Sequence, residues 1–345
     1  MSRPAGRRPT MKDVARLAGV SLATVSRVVN GRDDVREDLA ARVRDAVGVL
    51  GYRRDLTASN LRRTDRLSAT IGLIIEDVAN PFFCWVHRGV EDVARTHGVL
   101  TFAGSSDEDP DRERELVEAF SARGVDGLVI VPCSSDQGYL LRDRDAGTAL
   151  VFADRPPRFI DADAVVTDNT GGARAAVAHL VDAGHRRIAF LGDRPSVFTA
   201  AERCRGYRDA LAAAGIPAEP ARERVGLVDS DAAERAAGEL LLAPDPPSAV
   251  FAGQNLITIG TMRALRRLGL QRDIALVGFD DVTLAEMVEP GLTVVAQDPY
   301  ELGRNAAELL FSRLAGFSGE SRLIVVPTQL VARGSGEIEP AEVPA

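Results

Sequence analysis

The sequence predicts a small all-α head followed by a two-lobed α/β body built on doubly wound parallel sheets. Three observations predict it. Residues 10–50 carry apolar side chains at helical spacing, interrupted by a glycine turn. From Ala69 onward, short apolar runs alternate with helical stretches, the rhythm of strands buried under helices on both faces. The charge also divides. Residues 1–66 hold fifteen basic against eight acidic side chains, a net +7, while the rest of the 345-residue chain is −15, giving −8 overall. A basic head on an acidic body suits a protein that sets one end on phosphate and keeps the other away from it. An acidic body is also what keeps a domain in solution, so only the charge of the head discriminates.

Residues 1–9 form a basic arm with Arg3, Arg7 and Arg8, able to add nonspecific attraction to a polyanion. Thr10 and Asp13 resemble a capping box, with Asp in place of the usual Glu or Gln, and open helix one. Val14, Ala15, Leu17 and Ala18 are expected on its apolar face. Gly19 supplies the turn and Ser21 caps helix two. There Val25, Val28 and Val29 are expected inward, and Leu22, Ala23, Ser26 and Arg27 outward. Glu37 to Leu50 reads as a third helix with Leu39, Val43, Ala46, Val47 and Leu50 inward, ended by Gly51-Tyr52. Asp55 to Arg62 forms a possible short helix with a small Ala58-Ser59 face, followed by a charged linker to residue 68.

Two helices joined by a tight glycine turn, the second presenting short polar residues and one Arg, make a helix-turn-helix that reads the DNA major groove. The competing reading is a generic αα-hairpin. In such a reader the early exposed residues of helix two reach base edges. Arg27 can fork onto guanine O6 and N7, whereas Leu22 and Ala23 offer apolar contact to a thymine methyl. Thr10, Ser21, Thr24, Asn30 and Tyr52 suit phosphate, Ser26 either role, and Thr24 equally a capping or packing role.

In the body, Ile71–Ile75, Leu128–Val131, Ala149–Phe152, Ile188–Leu191, Ala249–Ala252 and Ile274–Phe279 read as buried parallel strands. Helical stretches lie near Phe82–Thr96, Glu113–Ala122, Gly171–Ala183, Ala200–Ala214, Ala232–Leu242 and Leu256–Leu268. These are too many strands for one sheet, hence two lobes. Residues 337–345 read as a frayed acidic tail without a heptad, so unsuited to building a tetramer.

Hydrophobic content of 45% supports a packed core. No run of about 18 apolar residues spans a membrane, and no signal core follows the basic N-terminus, so a cytoplasmic, nucleoid-associated protein is expected. Cys84, Cys133 and Cys204 are far apart and odd in number, and are read as core or half-buried thiols with neither a disulfide framework nor a metal. The four histidines are scattered, and His185 reads as a cap partner for the helix ending at Gly184. The phosphate-loop, zinc-protease and nucleophile-elbow motifs are absent, so neither catalysis nor a cofactor is expected.

The run D-V-A-x-x-A-G-V-S-x-x-T-V-S-R-V-V-N, in place from Asp13 to Asn30, resembles the DNA-binding headpiece of the LacI/GalR family of bacterial repressors. The likeness extends from about Met11 to Ser335. It implies a headpiece at 10–52, a hinge at 53–68 and an effector-binding and dimerisation body at 69–336. The body would be similar to a type I periplasmic-binding-protein fold, crossed three times by the chain. Lobe one would be about 69–166 and 296–325, and lobe two about 167–295 and 326–336. By the same resemblance Pro327 to Ser335 is a closing strand, and a homodimer binds a near-palindromic double-stranded operator. Leu61, with Ala58 beside it, would enter the minor groove from a hinge helix, where an apolar wedge kinks a base step. The alternative is that Leu61 packs on the body. Relatives have Pro-Asn after the tyrosine, where this chain has Arg53-Arg54-Asp55.

Ligands of two-lobed α/β proteins bind beyond the carboxyl ends of the strands. Those ends offer Asn80, Phe82 and Phe83, then Asp154-Arg155, Arg203, Gln254-Asn255, Asp280-Asp281 and the crossover Gln297. Aromatic faces with carboxylates, amides and Arg suit a polyhydroxylated molecule. The resemblance assigns effector contact to Asn80, Phe82, Phe83, Asp154, Arg203, Gln254, Asp280 and Gln297, and implies a carbohydrate effector, with a nucleobase as the alternative. Phe82 and Phe83 could instead be core or dimer-face aromatics, and Asp280 a helix cap. Arg203 could be a surface Arg, although Arg203-x-x-Gly206-Tyr207 matches the family pattern. Gln254-Asn255 replaces the usual Asn-Asp, losing one negative charge and lengthening one reach. A solute-binding receptor is the rival function for the body alone. It would need a signal peptide and no helix-turn-helix.

Overall fold

The helical head and the α/β body are separate units of the chain, Met1–Ser68 and Ala69–Ala345. The computed structural model describes residues 9–29, 32, 34–52 and 68–341. The basic arm, Asn30, Arg53-Arg54, and the expected hinge with Ala58 and Leu61 lie outside the described residues.

In the head, α1 spans Met11–Ala18, α2 Leu22–Val29 and α3 Glu37–Leu50. Their shared core is Val14, Ala18, Val25, Val43 and Ala46, with Val28, Val29, Leu50 and Tyr52 at its edge. Asp13 accepts the amide of Thr10 at 2.9 Å and its hydroxyl at 2.6 Å, the reciprocal half of a capping box. Gly19 ends α1 in the left-handed conformation at φ 62°, which costs a residue without Cβ nothing. The expectation for Leu17 is corrected, since it is 52% exposed. Met11, Val14 and Ala18 share one stripe at 100° per residue, and Leu17 falls on its flank.

The body holds two six-stranded sheets. The first is assembled from β1 (Thr70–Ile75), β2 (Leu100–Ser105), β3 (Gly127–Ile130), β4 (Ala149–Asp154), β5 (Asp163–Thr167) and β11 (Leu323–Val326), in the order β11-β5-β4-β3-β1-β2 and all parallel. The second is assembled from β6 (Ile188–Leu191), β7 (Glu223–Arg224), β8 (Ala249–Ala252), β9 (Ala275–Phe279), β10 (Thr293–Ala296) and β12 (Gln329–Val331), in the order β12-β10-β9-β8-β6-β7, with only β12 antiparallel. Lobe-one helices are α4 (Pro81–Thr96), α5 (Pro110–Ala122), the short α6 (Leu141–Asp145) and α11 (Pro299–Leu314). Lobe-two helices are α7 (Asn169–Asp182), α8 (Phe198–Ala213), α9 (Ser230–Leu241) and α10 (Asn255–Leu268). The chain passes between sheets after β5, after β10 and after β11.

β2, β5, β7, β10, β11, α6 and α11 add to the elements that periodicity picks out. β2 is a half-exposed edge strand with no apolar run, and β5 opens on a charged residue. That residue, Asp163, is buried and takes Arg313 of α11 at 2.7 and 2.9 Å and Arg322 before β11 at 2.7 Å. One carboxylate thereby ties the returning segment into lobe one. The tail expectation is corrected at its start. Ile338 packs against the lobe-two core, its carbonyl accepts from His185 at 2.7 Å, and Glu337 bonds Thr293 at 2.8 Å. His185 caps the helix end through its backbone, whose amide donates to the Leu180 carbonyl at 3.1 Å, and its ring anchors the segment after residue 336, with Ser248 on the other nitrogen at 2.9 Å. Cys84 is exposed, whereas Cys133 and Cys204 are half-buried.

Candidate functional site

Two sites were sought, one on each unit. On the head, Ser21 Oγ accepts the amide of Thr24 at 3.1 Å and so caps the start of α2, and it lies 2.8 Å from the Thr24 hydroxyl. Thr10 spends its hydroxyl on Asp13, and Tyr52 is half-buried against the head core. The expected base-reading residues lie on one side of α2. Leu22, Ala23 and Arg27 are exposed and Ser26 is half-buried, while Val25 opposite them is fully buried. Arg27 Nε is 3.9 Å from Asp34, an exposed pair too weak to hold the guanidinium from a stronger acceptor. The face is thus an apolar pair followed one turn later by an exposed guanidinium.

On the body, the lobes meet around a cavity of about 40 Å³ bordered by Asn80, Phe82, Phe83, Asp154, Arg203, Gln254, Asp280 and Gln297. All eight expected effector residues border it, drawn from four strand ends and two helices. An adjoining recess of about 230 Å³ shares Phe82, Asp280 and Gln297 and adds Trp85, Asp298 and Tyr300. A larger cavity of about 670 Å³ lies between α10 and residues 281–292. It is mostly apolar, with Ile259, Leu265, Val282 and Met287 among its walls. It lacks the convergence of polar strand-end groups that marks a ligand site in this kind of fold.

Local backbone chemistry sets the site. Asp154 and Asp280 end β4 and β9, one in each lobe, and both stand in the left-handed region at φ 66° and 73°. Aspartate tolerates that region better than most residues, and such strain gathers at functional sites. Asp280 accepts the Asn255 amide at 3.3 Å, which caps α10, and also takes Gln297 Nε2. Arg203 sits in the second turn of α8, not at its start, and is buried. It donates to Asn169 Oδ1 at 2.7 Å and the Gly253 carbonyl at 2.9 Å, lies 3.8 Å from Asp280, and stacks 3.9 Å over the Phe279 ring. Phe83 belongs to the lobe-one core and meets Phe82 edge-on at 5.1 Å, so Phe82 is the more available of the two.

Glu76, Asp193 and Thr199 also border the cavity and were not expected. Glu76 follows Ile75, and Asp193 lies two residues past Leu191, so the strand-end rule applied consistently would have found both. Arg155 joins them, held by Glu76 at 2.8 Å, Glu108 at 2.5 Å and Asp154 at 3.5 Å. Burial pushes the Glu76 carboxyl up to about 8 against the pull of Arg155, and burial raises Asp154 and Asp193 as well. Burial lowers Arg203, with Asp280 and Asp154 opposing. Among the described residues, polar side-chain contacts cross between the lobes at two places. Asn255 Nδ2 donates to Asn80 Oδ1 at 2.8 Å, and Arg194 lies 3.9 Å from Glu108. Gln254, the other altered residue, reaches Asp193 at 3.0 Å. Among the described residues no cluster of His, Cys, Asp and Glu is arranged for a metal ion, and no helix is long and apolar enough to cross a membrane.

Comparison with known proteins follows the same division. Residues 10–55 match the bacterial regulatory proteins of the lacI family, and residues 177–336 match a periplasmic binding protein-like domain. The chain is 31% identical over 328 residues to the HTH-type transcriptional repressor CytR of Escherichia coli strain K12, covering 94% of this chain and 96% of that one. It is 34% identical to the HTH-type transcriptional regulator CelR of Thermobifida fusca, covering 96% and 99%. Among solved structures, a complex of transcriptional regulator CelR with cellobiose superimposes with a TM-score of 0.70 at 34% identity, covering 95% of this chain and 100% of that one. The lac repressor dimer bound to operator and the anti-inducer ONPF superimposes with a TM-score of 0.83 at 26% identity, covering 96% and 99%.

Proposed function

The chain belongs to the lacI family of bacterial regulatory proteins and is a DNA-binding transcriptional regulator, and from that premise we propose how its two sites divide the work. The head reads an operator through α2. Arg27 forks onto a guanine, and Leu22 and Ala23 lie against thymine methyls, with Ser26 beside them. Ser21 and Thr24 hold the helix start near phosphate, and Thr10, Asn30 and Tyr52 supply further backbone contacts. A homodimer pairs two heads on a near-palindromic site, with Ala58 and Leu61 at the minor groove between them. The solved dimer of the lac repressor on its operator supports that arrangement.

The body binds a small polyhydroxylated effector, in our reading a carbohydrate. One observation carries this: groups from strand ends of both lobes border a single cavity, with Asp154, Asp280, Gln254 and Gln297 placed to take hydroxyls and Phe82 to cover an apolar face. The cellobiose complex of CelR supports the class. The cavity of about 40 Å³ is small against the roughly 300–1,000 Å³ of ligand pockets. A ligand must therefore part the lobes or prefer a different lobe angle, and differential affinity for two lobe arrangements is what couples it to DNA. The regulator works in the cytoplasm as a binding protein, without catalysis.

The test uses the full chain. A preferred duplex is selected from a random pool, and its affinity is followed by fluorescence anisotropy across a carbohydrate panel. The expected result is one selected near-palindrome whose Kd shifts at least tenfold with one ligand class. Failure to enrich any sequence would sink the operator reading, and a Kd indifferent to every ligand would sink effector control.

A further inference from the structure

The charges around the cleft are unequal. Glu76, Asp154, Asp193 and Asp280 border the cavity, against Arg155 and Arg203. The adjoining recess presents Asp280, Asp281 and Asp298 beside Phe82, Trp85 and Tyr300, with no Lys or Arg in its wall.

Both cavity guanidiniums are held in ion pairs. Arg155 is held among three carboxylates and also donates to the Pro132 carbonyl at 3.2 Å. Arg203 is spent on Asn169, Gly253 and Asp280 and lies flat on Phe279. Among the cavity residues two buried acceptors, Gln254 Oε1 and Gln297 Oε1, and one buried donor, Arg155 Nε, have no hydrogen-bond partner. A buried acceptor left unmatched is costly, and a donor on the ligand would relieve it.

We infer that the effector carries no acidic group, and that the cleft takes a neutral or amino-bearing polyol while excluding sugar acids and sugar phosphates. This rests on the reading of the cleft as the effector site. A ligand carboxylate or phosphate would enter beside four carboxyls whose neighbouring guanidiniums are already held in ion pairs, and adding an anion to so desolvated and acidic a cavity is costly. Hydroxyls and ammonium groups donate to just the acceptors present, and aromatic faces favour a cation as well as a sugar face.

The experiment compares matched sets on one skeleton with the full-length protein: D-glucose, D-glucosamine, D-glucuronate and D-glucose 6-phosphate, then ribose with ribose 5-phosphate, and cellobiose with cellobionate. Thermal shift and affinity for the selected operator are both read. The expected result is that a neutral or amino member acts at least tenfold more tightly than its acid or phosphate counterpart, and that Glu76→Gln narrows that gap while the neutral ligand still binds. If an acid or phosphate binds most tightly and Asp154→Asn alters its affinity, the charge inference is wrong and the cleft remains the effector site. A gap unchanged in Glu76→Gln also overturns the charge inference. A panel that moves neither readout removes the effector reading and this inference together.

Discussion

Arg27 and Arg203 are the same side chain put to opposite uses. Arg27 stands exposed on α2, and its ion pair with Asp34 among the described residues is weak and solvated, as the proposed contact with DNA requires. Arg27→Ala should cost about 1–3 kcal/mol of operator affinity and relax the choice of base at one position. Anisotropy titrations against single-base operator variants check this, and a uniform loss at every variant would reassign Arg27 to phosphate. Arg203 is buried, and its motif has a packing logic. A Cβ on Gly206 would sit 2.5 Å from the Thr170 carbonyl, so only glycine lets α8 cross α7 there. Tyr207, wholly buried, donates to the Ile188 carbonyl at 2.9 Å. Arg203-x-x-Gly206-Tyr207 therefore seats a helix and aims one guanidinium in a single stroke.

At the scale of elements, helix crossings and one ionic clamp build the lobes. α4 and α11 approach closely through Gly89 and Gly303, where a Cβ would fall 2.2 Å from Tyr300 O and 2.0 Å from Val86 O respectively. Gly303→Ala must push two backbones apart and should destabilise the protein by about 1–3 kcal/mol or more, as overpacking does. Urea unfolding of lobe one measures it, and an unchanged midpoint would mean the crossing is loose. Asp163 is held at about 2 because hydrogen bonds from Arg313 and Arg322 outweigh its burial. Its folded-state value lies below the ordinary 3.8, so its stabilisation is complete above about pH 4 and is lost as pH falls toward 2. Asp163→Asn should lower Tm at neutral pH and flatten the decline of Tm between those limits. A variant with the parental acid profile would show that the clamp does not set acid stability.

Across the whole body, the lobes touch through few specific groups, and an altered family position supplies one of them. Asn255 can donate to Asn80, which the aspartate usual at that position cannot do when ionised. Asn255→Asp should remove that bond, set a second carboxylate against Asp280, and favour parted lobes. Paired spin labels, one on each lobe, would report a longer or broader distance in the full-length variant. An unchanged distribution would show that the Asn80 contact follows lobe closure and does not maintain it.

The sequence by itself determined the head and the strand–helix rhythm of the body, and its strand ends together with the family resemblance picked out eight of the residues that border the cleft. These are local signals: a capping box, a glycine turn, period-3.6 and buried-strand patterns, and polar residues placed just past apolar runs. It also carried a departure, Gln254-Asn255, whose consequence it could not show. Only the tertiary structure decided that Asn255 would bridge to Asn80, 175 residues away, and that Arg203 would be spent on protein acceptors. It alone showed that Asp163 closes lobe one and that the segment after residue 336 docks through His185. Such pairings depend on which distant elements the fold brings together, and no pattern along the chain encodes them. Glu76 and Asp193 mark the boundary between the two kinds of knowledge. Their positions were legible at strand ends, but their effect on the charge of the cleft comes from burial and from neighbours on other strands.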